Sequence, residues 1–160
     1  MSRPHVSEAY RRHYIDHTSG CFIKASWRVY VLSQPQPRNL VFGGMQPRTA
    51  CVYVPDGWHA TEDGAVEAIE ARAQIMVPVG PSTRRTVLVL GARERDQPLA
   101  VSLKGRTVWS GTLRQDQKIE LPIALSARDA DKDKLVQLEL TDGRNDDEDL
   151  KLALYSFTVD

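Results

Sequence analysis

Apolar and polar side chains alternate with a period of two through much of the chain. Leu99, Val101 and Leu103 alternate with Ala100 and Ser102, and Ile119, Leu121 and Ile123 with Glu120 and Pro122. Successive side chains of a strand point to opposite faces, so each run has one buried and one solvent-facing side. The stretches 86–90 and 152–155 are apolar on both faces and belong at sheet centres or beneath a covering loop. The pattern predicts strands over 39–42, 49–54, 73–79, 85–90, 99–103, 107–113, 118–123, 135–141 and 150–159. The run Trp27-Arg28-Val29-Tyr30-Val31-Leu32 alternates in the same way and also reads as a strand. Glycine pairs and Asp-Gly, Gly-Pro or Lys-Gly dipeptides fall between these runs, where turns need positive φ or a break in pairing. Pro35 and Pro37 remove two ladder donors and mark 33–38 as a loop.

Residues 61–72 fit two descriptions. A short helix would gather Ala65, Val66, Ala68 and Ile69 on one face, but Gly64 in its first turn costs about 1 kcal/mol relative to alanine. An extended crossing into the 73–79 strand is favoured. Closely spaced short strands with turn signals between them define an all-β fold, a two-sheet antiparallel β-sandwich of jelly-roll character. It spans residues 21–160 as a single domain, behind a polar arm or short helix at 1–20.

Composition narrows the function more than it names it. The chain has 160 residues, and its 21 Lys and Arg balance 21 Asp and Glu, so no net field steers it toward nucleic acid or an anionic membrane. No apolar run is long enough to span a bilayer, and the first residues lack a secretory apolar core, which leads to the expectation of a cytoplasmic protein. Cys21 and Cys51 form no CxxC pair and read as reduced thiols in apolar runs.

Among candidate chemistries, the turn Gly57-Trp58-His59-Ala60-Thr61-Glu62 is the most informative. The Trp58 indole can pack on the C–H face of a pyranose while Glu62 accepts hydrogen bonds from adjacent hydroxyls, with His59 and Arg72 adding polar contacts. The structural alternative makes Trp58 a core cap at a sheet edge and Glu62 a cap for turn N–H groups. It carries the greater weight. Trp27 and Trp109 lie within strands and read as packing residues. His13, His17 and Cys21 are spaced by four and could form a tetrahedral zinc site with Cys51, although Gly20 interrupts that spacing and no close ligand pair anchors it. Asp129, Asp131 and Asp133 imitate the start of a calcium loop, but Lys134 and Leu140 stand where an EF-hand needs Gly and Glu. A different calcium site using Asp142, Asp146, Asp147 or Glu148 stays open beside the simpler reading of two solvated acidic loops. No cofactor is called for. Glu62, Asp63, Glu67 and Glu70 cluster in sequence, yet nothing fixes the separation a glycosidase pair requires, and no nucleophile elbow accompanies the serines. The chain reads as non-enzymatic.

Gly57-Trp58, Glu62 and Ala71-Arg72-Ala73-Gln74-Ile75-Met76-Val77-Pro78-Val79 together resemble the β-sandwich domain appended to bacterial glycosyltransferases of polysaccharide assembly. The hairpin at 99–105, the Ile119-Glu120-Leu121-Pro122 strand and the closing 150–157 strand follow in the same order, so the resemblance covers roughly residues 40–160. It implies a jelly-roll-like accessory or carbohydrate-binding-like module whose partner is a glycan or a glycosyltransferase-type protein. Gly64, Val66 and Ala68 replace tryptophans that the family often carries, which reduces the stacking surface. Two alternatives accompany this reading: an assembly module that buries a partner or a second copy of itself, and a glycosidase-like enzyme.

Overall fold

The computed structural model describes residues 25–45, 47–61 and 64–160. Among the described residues ten strands form two antiparallel sheets that enclose one hydrophobic cluster. The strands are β1 (Asn39–Val41), β2 (Trp58–Ala60), β3 (Val66–Ala68), β4 (Arg72–Pro78), β5 (Arg85–Ala92), β6 (Gln97–Leu103), β7 (Arg106–Leu113), β8 (Lys118–Ala124), β9 (Leu135–Thr141) and β10 (Leu152–Val159). Sheet A runs β2-β3-β10-β5-β8, with β1 also paired to β10, and sheet B runs β4-β9-β6-β7. Neighbours in each sheet are rarely neighbours in sequence, so the chain crosses repeatedly between layers, as a jelly-roll-like sandwich requires.

The period-two pattern dictates which faces meet. Val136, Leu138 and Leu140 of β9 and Leu99 and Val101 of β6 are fully buried from sheet B, opposite Leu88 and Leu90 of β5 and Leu152, Leu154 and Phe157 of β10 from sheet A. β5 and β10, whose sequences are apolar on both faces, lie inside sheet A as their composition suggested. A bulge between Leu154 and Ser156 shifts the phase of β10, so that both Leu154 and Phe157 reach the core.

Two segments depart from the sequence reading. Residues Ala25–Ser33 form helix α1, not a strand. Trp27 stacks on Tyr30 at 5.4 Å, one helical turn away, and Val31 is buried four residues beyond Trp27. Six residues of alternating character are too few to separate the two periods, and Pro35 then stops the helix. Residues Pro47–Tyr53 form helix α2 where a strand over 49–54 was expected. Pro47 occupies the first helical position, where its missing N–H is harmless, and the buried run Ala50–Val54 docks by several faces at once. Within that run the Tyr53 ring meets Phe157 edge-on at 6.3 Å and its hydroxyl donates to Gln36 Oε1 at 2.6 Å. Burial raises the Tyr53 pKa above the usual phenol value. Cys51, on the same helix, is disulfide-bonded, which corrects the reduced-thiol expectation. Whether a cysteine is paired is set by tertiary structure, so its place in the sequence did not reveal it. Cys21 lies outside the described residues, as does the expected arm at 1–20.

The extended description of 61–72 prevails in the described part, where Val66–Ala68 is β3. The Gly57-Trp58 segment, expected as a turn, continues into β2, which pairs with β3 at Trp58↔Ala68 and His59↔Glu67. Gly57 has φ +88°, and a Cβ there would collide with the Arg72 carbonyl oxygen and lie 2.7 Å from Ala73 Cα. Only glycine fits this approach of the β2 entry to β4. Gly57→Ala is therefore expected to destabilise the fold by roughly 2–4 kcal/mol, read as a lower urea midpoint with an unchanged slope.

Candidate functional site

The sequence-predicted site disperses in the fold. Trp58 is 1% exposed, and its Nε1–H donates to the Gln74 carbonyl at 2.9 Å. An indole buried on both faces has none left for a sugar ring, so the stacking role is corrected to the structural one. His59 lies on the opposite face of β2, with Nε2 3.9 Å from Glu67 Oε2 across the β2–β3 ladder. Arg72 belongs to the outer face of sheet B, where its guanidinium reaches Glu139 at 3.4 Å and Asp146 at 3.8 Å. Glu62 and Asp63 lie outside the described residues. So do His13, His17 and Cys21 of the zinc set, while Cys51 in a disulfide has no thiolate to offer a metal.

The acidic loops are occupied with their own backbones. Asp131 Oδ1 accepts from the N–H groups of Asp133 at 2.8 Å and Leu135 at 3.1 Å. Asp142 Oδ1 accepts from Arg144 at 2.8 Å and Asn145 at 3.1 Å. Among the described residues no three His, Cys, Asp or Glu side chains are grouped to hold a metal ion.

Two concave features of the described residues lie on the outside of sheet B. Cross-strand register sets Gln74, Glu139 and Ser102 in one row and Arg72, Thr141, Ala100 and Ser110 in the next. A hollow of about 420 Å³ opens at one end of this face, lined by Ser102, Lys104, Asp129, Asp131, Gln137 and Glu139 among others. Its walls are built by short-range structure. Lys104 and Gly105, at φ +50° and +76°, form the two-residue turn between β6 and β7 that both positive angles favour. Opposite it stands the 3₁₀ turn Ala127–Asp129, whose Asp129 Oδ2 accepts from the Ser126 N–H at 2.9 Å. Lys104 Nζ donates to the Arg128 carbonyl at 3.3 Å and ties the two walls together. Hydroxyl, amide, carboxylate and ammonium groups thus converge above an apolar edge from Leu135 and Ala130. This arrangement suits a polyhydroxylated ligand, with donors and acceptors interleaved.

A second hollow of about 380 Å³ is lined by Asp96, Pro98, Ser110, Thr112, Gly143 and Arg144 among others. A buried polar network fixes its rim. Gln97 is fully buried, and its Nε2–H donates to Asp142 Oδ2 at 3.0 Å while its Oε1 accepts from the Lys151 N–H at 2.8 Å. Burial pushes the Asp142 carboxyl up, but the N–H groups of Arg144 and Asn145 and the Gln97 amide outweigh it, and its pKa ends below the usual value. Asp96 is also held low, first by the Gln115 backbone N–H and then by the Arg114 side chain. The strand alternation exposed Ser102 as outward-facing; Gln137 and Glu139 became neighbours of it only through the β9–β6 register, which no local signal carries.

No protein-family model and no curated protein matches the chain. Among solved structures it is similar to a family 35 carbohydrate binding module from Clostridium thermocellum, at 12% identity and TM-score 0.45, over 78% of this chain and 93% of that one. It is also similar to the CBM36-1 domain of a multidomain xylanase from the hindgut metagenome of Trinervitermes trinervoides, at 11% identity and TM-score 0.44, over 76% and 94%. An uncharacterized protein from Listeria monocytogenes EGD-e, in complex with glucose, magnesium and calcium, aligns at 17% identity and TM-score 0.43 over 64% of this chain. The chain spans 10% of that protein's length. Likenesses of this size identify no ligand for the present chain.

Two outcomes follow for stability. Trp58→Ala removes a buried aromatic and its hydrogen bond and is expected to cost about 3–5 kcal/mol in urea unfolding. Because the folded pKa of Asp142 is depressed, its contribution is complete above the unfolded carboxylate value, about 3.9, and fades as pH falls through the folded value. Asp142→Asn should therefore be less stable than wild type near neutrality by about 1–3 kcal/mol, with the difference shrinking as urea midpoints are followed from about pH 5 to about pH 2.

Proposed function

We propose that this chain is a non-catalytic, carbohydrate-binding-like module that works beside glycosyltransferase machinery of bacterial polysaccharide assembly. The observation that carries the binding reading is the outer face of sheet B, where Ser102, Gln137 and Glu139 present hydroxyl, amide and carboxylate groups into one hollow. Pairing with the transferase machinery comes from the order of sequence motifs alone. Asp96 and Asp142 are both held below the ordinary carboxylate pKa, the wrong direction for the general acid of a glycosidase. The Cys51 disulfide favours an oxidising compartment over the cytoplasmic one that the sequence suggested. The described residues contain no helix long and apolar enough to cross a membrane.

An assembly module is the second reading, favoured by the exposed apolar side chains Val29, Tyr30 and Val41, at 67%, 56% and 48% exposure. A glycan array probed with wild type, Gln137→Ala and Glu139→Gln separates the two, with circular dichroism as the fold control. The binding reading expects array signal from wild type, a loss of tenfold or more in each variant, and unchanged spectra. A blank array together with a dimer in sedimentation would replace it with assembly.

A further inference from the structure

The two hollows of sheet B share one strand. β6 lines one at Pro98 and the other at Ser102, with Lys104 of the following turn completing the latter. Four residues of strand separate Pro98 from Ser102, about 13 Å at ~3.3 Å per residue. The floor between them is Ala100, whose cross-strand partners are Ser110 on β7 and Thr141 on β9. All three side chains are small, so no bulky group of β9, β6 or β7 divides the hollows in this row; Arg72 stands at its far end, on β4. Each hollow falls within the size range of a small-ligand site. The polar lining is also mixed at both ends: Gln137, Glu139 and Lys104 at one, Thr112, Asp96 and Arg144 at the other.

We infer that the hollows are the two ends of one elongated groove along β6, which takes an internal stretch of a polyhydroxylated chain several units long in preference to a single sugar. This inference rests on the carbohydrate reading above and names the form of the ligand. A single sugar ring is too short to reach from Gln137 to Thr112. A chain held in one hollow presents its next units to the other at high local concentration, so affinity grows with length until both ends are filled. Ala100, half-buried in the middle of the groove, lines neither hollow, so a large side chain there blocks the path while leaving both ends intact.

The test is calorimetric titration of wild type and Ala100→Trp with cello-, xylo- and manno-oligosaccharides of one to six units. The expected result is an affinity gain of at least tenfold between the monosaccharide and the longest oligosaccharide in one series. Ala100→Trp should abolish that gain, with short-oligomer binding and the circular dichroism spectrum unchanged. A monosaccharide that binds as tightly as the six-unit chain, or a length gain that survives Ala100→Trp, would overturn the groove while leaving the carbohydrate reading in place. Absence of binding in all three series also overturns the groove; if the glycan array is blank as well, the carbohydrate reading falls with it.

Discussion

The sandwich is held in register by the insertion of Trp58 between its layers. The indole belongs to β2 of sheet A, yet its N–H is satisfied by the Gln74 carbonyl of β4 in sheet B. A buried N–H without a partner would offset much of what the ring contributes, so the two requirements fix the tryptophan in one place. Backbone bonds then fasten the surrounding chain: Gln74 N–H to the Asp56 carbonyl at 3.0 Å and Ile69 N–H to the Gly57 carbonyl at 2.9 Å. Gly57 permits this by passing over β4 without a Cβ. The residue pair that looked most like a binding turn is therefore a structural joint between the sheets.

That joint frees the opposite surface for chemistry. Strand alternation commits one face of β4, β9 and β6 to the core, leaving Gln74, Gln137, Glu139 and Ser102 on the other. Turns at Lys104-Gly105 and Ala127–Asp129 rise at one end of this face, and the Gln97–Asp142 network anchors the loop after β9 at the other. Gln97 also receives the Lys151 N–H just before β10 of sheet A, so the same side chain links the rim of a hollow to the second sheet. Rigid anchoring of this kind keeps polar groups in place before a ligand arrives, which lowers the entropic cost of binding.

Most of the sandwich was legible in the sequence because its strands are long and bury one face. The prediction over 135–141 matches β9, and those over 73–79, 85–90, 99–103, 107–113 and 118–123 fall within a residue or two of β4 to β8. The pattern failed where short apolar runs left the period undecided, at α1 and α2, and there the dominant influence was tertiary packing around Phe157 and Trp27. β2 went unseen because three residues after a glycine carry no period at all. The site was harder to read. Trp58 has the residue type of a sugar platform, but its exposure is decided by the sheet opposite. Ser102, Gln137 and Glu139 look like an ordinary solvated face until pairing sets them side by side.

Backbone amide chemical-shift mapping by NMR during titration with a six-unit oligosaccharide tests the division of labour between these two regions most directly. The account predicts shifts concentrated at β6, the Lys104-Gly105 turn, Gln137 and Glu139, with the Trp58 indole N–H and the 57–60 amides unmoved. Shifts centred on Trp58 and His59, with sheet B silent, would contradict it.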